Sequence, residues 1–500
     1  MKVTLLLFIG LIALALSVPT SVMMPLDLIS RDGVLKDPQN LETQLKRLKE
    51  ANVNGIMVDV WWGIVERYQP KQYNWKPYQQ LYEIVARVDL HLQPVMSFHQ
   101  CGTNVGDQCY VPLPDWVLEV GKENREFNCR VTSEPLPADI FYHSTAGDWD
   151  QEYLSLGVDD EALFQDRTPV DIYNDFFASY VENFGEYLGN TTREVQIGGR
   201  KILAGNLSPK GLGPAGELRY PSYQLQDNKW SYCGIGAFQA GDKYMQENLK
   251  AAAEAAGHSD WNHSPDAGSY NSRPDNTKFF TNNDDNFASP YGQFFLGELT
   301  TTITTDSSDW YTNQLLVHAQ KVLSKANGAF QPLGLHLAAK VTTSAVSTGG
   351  MTAHTTPPRP PQATSNTGTN MAYDKIARVF AKCTTTFDFT RLKMKNQNGD
   401  CESRAEDLVT RTKQAANSAN IGEVDLHRCR WLMGASFSGK NALPICGSWG
   451  CDWNGFNQVL SQARNNGVIK RFTFLRLDDD LVNKNMNDFS TFVNKMQQIQ

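Results

Sequence analysis

Glu217 stands inside the stretch GLGPAGELRYPSY, with glycines at 211, 213 and 216, Pro214 before it, and Tyr220, Pro221 and Tyr223 after it. Glycine permits unusual backbone angles and close approach, and proline fixes φ, so this segment is a shaped loop rather than a helix or strand. A carboxyl group held among apolar and aromatic neighbours is poorly solvated, which raises its pKa and suits it to donating a proton. The competing reading is a surface turn with a solvated glutamate, and the local composition alone favours it. The choice depends on what else the chain could bring to the same place.

Other residues with usable chemistry recur after short apolar runs: Asp27, Asp59, His99, Lys340, Thr390, Asn441 and Arg476. Each has an ordinary explanation in isolation, since Asp27 and Asp59 can cap turns, His99 can be a buried structural histidine and Lys340 or Arg476 an ion-pair partner. The elements that would position them are eight candidate strands, at 22–26, 55–60, 91–98, 195–199, 335–341, 386–389, 432–435 and 472–475. Helix-period stretches lie between them, at 41–51, 78–88, 169–188, 235–256, 310–326, 403–419, 453–466 and 482–500. Alternating strand and helix signals predict a parallel sheet, and eight strands close a (β/α)8 TIM barrel with long βα loops after strands three and four. In such barrels chemistry sits on the loops at the carboxyl ends of the strands, where these polar residues fall.

The 500 residues, with 41% hydrophobic content and eleven tryptophans, supply the core such a barrel needs as one domain over 18–500. A net charge of −8 gives no electrostatic reason for nucleic acid or an anionic membrane as partner. Met1, Lys2 and the apolar run to Leu16, with Ala15 and Ser17 at small-residue positions, form the pattern of a signal peptide over 1–17, implying a secreted or lumenal protein. Nine cysteines are compatible with disulfides there, and Cys446 and Cys451 are close enough in sequence to pair. No Cys/His set has zinc spacing, so neither metal nor organic cofactor is expected. Asn190, Asn206 and Asn262 each begin a glycosylation acceptor. The segments 262–296 and 342–370 read as irregular excursions, the first rich in Asn, Asp, Ser and Gly, the second in Thr, Ser, Pro and Gly.

GLGPAGELRYPSY, together with VDVWWGIVE at 58–66, SFHQCGTNVGD at 97–107, NALP at 441–444 and LRLDDDL at 475–481, resembles the plant-type β-amylases, glycoside hydrolase family 14. These motifs span most of the chain in family order. The resemblance implies the same barrel and an inverting hydrolysis of α-1,4-glucans from their non-reducing ends, releasing β-maltose, with a monomer acting on starch or maltodextrin. It matches Glu217 to the general acid, and Asp59, His99, Asp107, Lys340, Thr390, Asn441, Ala442 and Arg476 to substrate-binding positions. It also places Lys440 where the family has its catalytic base, and Lys393 where the family usually has an acid. A protonated amine cannot accept a proton from water, and its charge would lower the pKa of a nearby acid. The alternative is therefore a glucan-binding homologue that has lost turnover. Neither Asp478 nor Asp479 replaces the base, because the following helix can use them in its first turn. Two stretches depart from the family: 200–210 looks inserted, and 342–370 lacks the sugar-gripping histidine and aromatics found there in relatives.

Overall fold

The computed structural model describes residues 17–102, 109–123, 139–143, 149–198, 238, 240–265, 289–296, 310–341, 367–396, 405–419, 435–441 and 444–500. Eight parallel strands form a closed barrel: β1 (Thr20–Met23), β2 (Gly55–Trp61), β3 (His91–Ser97), β4 (Glu194–Ile197), β5 (His336–Val341), β6 (Thr385–Phe389), β7 (Ser436–Lys440) and β8 (Phe472–Phe474). Each strand pairs with its neighbours in chain order, and β1 closes the ring against β8 with Thr20 opposite Phe472. A helix of the outer ring follows each strand: α1 (Pro38–Glu50), α2 (Lys76–Arg87), α3 (Pro169–Phe184), α4 (Trp310–Phe330), α5 (Thr367–Lys382), α6 (Ala405–Ser418), α7 (Trp453–Arg464) and α8 (Met486–Gln497).

Local chemistry explains the helix starts. Asp37 accepts a hydrogen bond from Asn40 N at the head of α1, with Pro38 behind it, and Leu41, Leu45 and Leu48 then face the barrel. At α3, Thr168 and Asp171 form a reciprocal capping box around Pro169. Eight of its residues are then buried, and Tyr173, Phe176, Tyr180 and Phe184 pack with Trp75 of the α2 entry, Phe98 after β3 and Phe330 of α4. Much of the aromatic content thus serves packing between barrel and helices.

Inside the ring, Met23, Met57 and Val95 form an apolar plug with Leu475 against it. Below the plug, Gln93 donates to Glu194 and Arg471 pairs with the same carboxylate, so the amino-terminal mouth carries charge that is internally satisfied. A cavity of about 570 Å³ opens at that end, lined among others by His336, Thr386 and Ser436. Residues at this mouth of a barrel serve stability, and the chemistry belongs at the other.

Several expectations need correction. The seventh strand runs Ser436–Lys440 rather than 432–435, because the pairing partner Thr386 meets Ser436, and the small polar residues SFSGK fit a crowded interior better than their hydropathy suggests. Of the segment 342–370, residues 342–366 lie outside the described residues, and from Thr367 the chain is helical rather than irregular, as the start of α5. Within 262–296, Pro290–Leu296 is helical because Tyr291, Phe294 and Phe295 share one face and join a second core with Phe238, Leu249, Trp310 and Tyr311. The helix expected over 235–256 starts at Lys243, where Asp242 caps it. The long segments after β3 and β4 are as expected.

Asp242 is fully buried, accepting hydrogen bonds from Met245 N at 3.0 Å and Ser155 Oγ at 2.8 Å. Burial pushes its carboxyl up to about 7, with those two hydrogen bonds opposing the shift. A carboxyl whose pKa is higher folded than unfolded binds protons on folding, so its contribution falls as pH rises from about 4 to about 7. The expected loss is up to about 1.4 kcal/mol per pH unit in that window. Denaturant unfolding of Asp242→Asn, which keeps the cap but cannot ionise, should show this slope flattened relative to the native protein.

Candidate active site

The parallel barrel brings the carboxyl ends of all eight strands to one mouth, and the described candidates other than Asp27 stand at it. Asp59, at the inward face of β2, accepts from Ser97 Oγ of β3 at 2.9 Å, which orients its carboxylate. The next residues explain why VDVWWGIVE is rigid. Trp61 donates Nε1–H to Leu26 O at 3.0 Å and sets its ring edge-on to His99, centroids 5.1 Å apart. Trp62 donates to the fully buried Glu66 at 2.7 Å, and Lys71 N donates to the same carboxylate at 2.6 Å. Burial pushes the Glu66 carboxyl up, with these hydrogen bonds opposing it. Glu66 therefore anchors the β2 turn, while His99 is buried beside Trp61 after β3.

On the other side of the ring, Lys340 lies near the end of β5 in register with Asp388 of β6, and Thr390 follows β6 as a buried residue. Asn441, fully buried after β7, uses both ends of its amide: Nδ2 donates to Leu475 O at 2.8 Å and Oδ1 accepts from Leu475 N at 2.9 Å. That exchange copies a backbone ladder and ties the end of β7 to the segment after β8. Arg476, the next residue, donates to Met24 O at 3.4 Å, reaching across to β1. Asp27 is different: it forms an ion pair with Lys36 and is 41% exposed, so it belongs to the surface loop. Glu217, Asp107 and Ala442 lie outside the described residues.

The centre of the site is a buried pair that the motifs do not announce. Lys440, at the end of β7, places Nζ 2.8 Å from Asp388 Oδ2, and the two side chains are 1% and 3% exposed. Met57 Sδ of the plug lies 3.9 Å from the same ammonium. The backbone just after β6 is tied to the end of β7, since Leu392 N donates to Lys440 O at 3.2 Å. Gly439 makes that approach possible: a Cβ there would stand 2.3 Å from Leu392. Asp388 had a legible signal, because in TFDFT it precedes Thr390 by two residues and so shares its face of the strand.

The charge of Lys440 is thus met by a carboxylate at contact distance. Lys393 is likewise paired, with Asp452 at 3.3 Å, and donates to Pro444 O at 2.6 Å. Asp478 accepts from Leu481 N at 2.7 Å as the cap of the short helix Asp479–Lys484. Among the described residues, disulfides join Cys101 to Cys109 and Cys446 to Cys451, the second as the spacing suggested, and Cys383 is buried.

A closed (β/α)8 barrel whose polar residues converge on the carboxyl-end mouth has the architecture of a barrel enzyme. A family description, glycosyl hydrolase family 14, matches residues 21–500. The β-amylase of Medicago sativa is 37% identical over 495 residues, covering 96% of this chain and 87% of that protein. Beta-amylase 5 of Arabidopsis thaliana is 37% identical, with 96% and 86% covered, and the β-amylase of Glycine max 36%, with 96% and 87% covered. Among solved structures, the catalytic domain of β-amylase from Paenibacillus polymyxa shares the fold at TM-score 0.65 and 23% identity, covering 96% and 98%. The chain belongs to glycosyl hydrolase family 14, and is a glycoside hydrolase by that membership.

Removing one member of a buried ion pair strands the other charge, at about 3–5 kcal/mol. Lys440→Met should lose stability on that scale in urea unfolding, and adding Asp388→Asn should recover most of it. Additive losses in the double variant would mean the pair is not coupled.

Proposed function

We propose that the barrel mouth takes the non-reducing end of an α-1,4-glucan and that the family reaction is the inverting release of β-maltose. The observation that supports this reading is the family match across residues 21–500, with β-amylases as relatives over nearly the whole chain. Asp59, His99, Lys340, Thr390, Asn441 and Arg476 supply the carboxylate, imidazole, amide and cationic groups a hydroxyl-rich ligand needs, each carried at a strand end of a rigid ring. Glu217 is the proton donor to the glycosidic oxygen in this reading. An inverting pair needs a second carboxylate about 6.5–9.5 Å away, across the sugar ring, to activate water. The signal-peptide pattern favours a reaction outside the cytosol.

The state of Lys440 favours a second reading for the unmodified chain, in which the cleft holds glucan but turns it over slowly. Lys440 lies where the family resemblance puts the base, and its ammonium is committed to Asp388 at 2.8 Å. An ammonium accepts no proton, and the missing general base costs on the order of 10²–10⁴ in rate. Asp388 is not a ready replacement, because it is 3% exposed and spends its charge on Lys440.

Maltose release from soluble starch by the purified protein tests both readings. The native chain should release maltose slowly. Lys440→Glu alone should help little, since the introduced carboxylate would face Asp388 and one of two carboxylates so close would stay protonated. The pair Lys440→Glu with Asp388→Asn should raise the rate by about 10²–10⁴. Fast release by the native protein, lost on either change, would show that Lys440 does not stand at the base position.

A further inference from the structure

We propose that Trp449 is a stacking platform for an α-glucan chain on the rim of the barrel's carboxyl-end face, apart from the residues of the cleft. The identity of the ligand rests on the function proposed above; the existence of a built aromatic platform rests on the hairpin that carries it.

Trp449 sits at the turn of an antiparallel hairpin, Cys446–Gly447 paired with Gly450–Cys451, in the segment between β7 and α7. The Cys446–Cys451 disulfide staples the two sides together. The hairpin is also fastened to the segment after β8: the buried Asn485 donates Nδ2–H to Gly447 O at 3.0 Å, and Ser448 Oγ donates to Asp480 Oδ2 at 2.8 Å. Both segments leave the carboxyl ends of their strands, so this assembly belongs to the same face as Lys440, Asn441 and Arg476. A small, doubly fastened hairpin is an ordered mount, and the order of the mount is what lets a ring bind without a large entropy cost.

The ring itself is held out into solvent. Trp449 is 102% exposed, while the other strongly exposed aromatics, Tyr68 and Tyr110, have guanidiniums over their rings at 4.8 Å and 5.2 Å, from Arg67 and Arg31. Among the described residues no ring or cation lies against Trp449. The flanking Gly447 and Gly450 carry no side chains that would shade it, and Gly450 holds φ +108°, a conformation that side chains rarely adopt. Both faces of the indole are therefore open.

The surroundings select among ligands. A protein partner would want a contiguous apolar patch around so large an anchor. Here the neighbours on the mount are Ser448, Asp480 and the Lys484 ammonium paired to Asp480 at 2.6 Å. An isolated flat ring with polar groups beside it matches a pyranose, which offers an apolar C–H face and hydroxyl edges. A chain of such rings could rest on Trp449 while its end lies elsewhere on the face.

Electrophoresis of native protein, Trp449→Ala and Trp449→Phe through gels containing amylopectin reads the platform directly. The alanine variant should be retarded with an affinity about five- to tenfold weaker than the native protein, and the phenylalanine variant should keep part of the difference. Thermal unfolding of all three shows that the hairpin mutation has not altered the fold. Equal retardation of native and alanine proteins would overturn the platform and leave the cleft reading standing. Absence of retardation in the native protein would withdraw both. A native protein that sediments as a dimer, with Trp449→Ala a monomer, would also overturn the proposal by assigning the ring to a second copy of the chain.

Discussion

The closing of the ring is the constraint on which everything else rests. β1 and β8 are the two short strands that meet, four and three residues long, and their ladder alone is brief. Backbone bonds extend it at both ends: Phe472 N donates to Pro19 O at 3.0 Å at the amino-terminal end, and Leu477 N donates to Met23 O at 2.9 Å at the mouth. The Asn441 amide imitates a ladder rung between β7 and Leu475 beside that seam. Asn441 therefore has a structural duty at the position where the family resemblance also gives it a sugar-binding one. Arg476, reaching Met24 O, repeats the pattern on the far side of the seam. Side chains assigned to ligand by motif are in part the clasps that hold their own site together.

The second constraint is charge inside a low-dielectric space. An ammonium in the barrel interior is tolerable only when a carboxylate meets it, and Asp388 does so from the neighbouring strand. The pair is 1% and 3% exposed and bordered by Met57, so neither charge has bulk water to fall back on. A lysine on β7 and an aspartate on β6 are therefore one feature of this chain rather than two. The same logic governs Lys393, whose charge is met by Asp452 at the head of α7, and Glu66, which survives burial by accepting from Trp62 and Lys71.

Much of this is legible in the residues. Seven of the eight strands overlap their expected positions, because Gly55–Trp61 and His91–Ser97 are apolar runs bounded by clear helical periods. β7 falls outside its expected range because SFSGK is nearly devoid of hydropathic signal; its place is set by pairing with β6 and β8. The start of α5 is hidden because it follows directly on a Thr/Pro-rich tract. For the site, Asp59, His99, Lys340, Thr390, Asn441 and Arg476 stand out at strand ends, whereas Asp388 shows only the weaker signal of sharing a strand face with Thr390.

The amino-acid order by itself determined the family, the eightfold alternation of strand and helix, and which residue types stand at each strand end, since these are local patterns and spacings. What only the tertiary structure decided was who neutralises whom. Asp388 and Lys440 are 52 positions apart in the chain and 2.8 Å apart in space, and no periodicity encodes that. The barrel's register put one carboxylate beside one ammonium and excluded water from both, and in a dry interior that proximity outweighs any local preference.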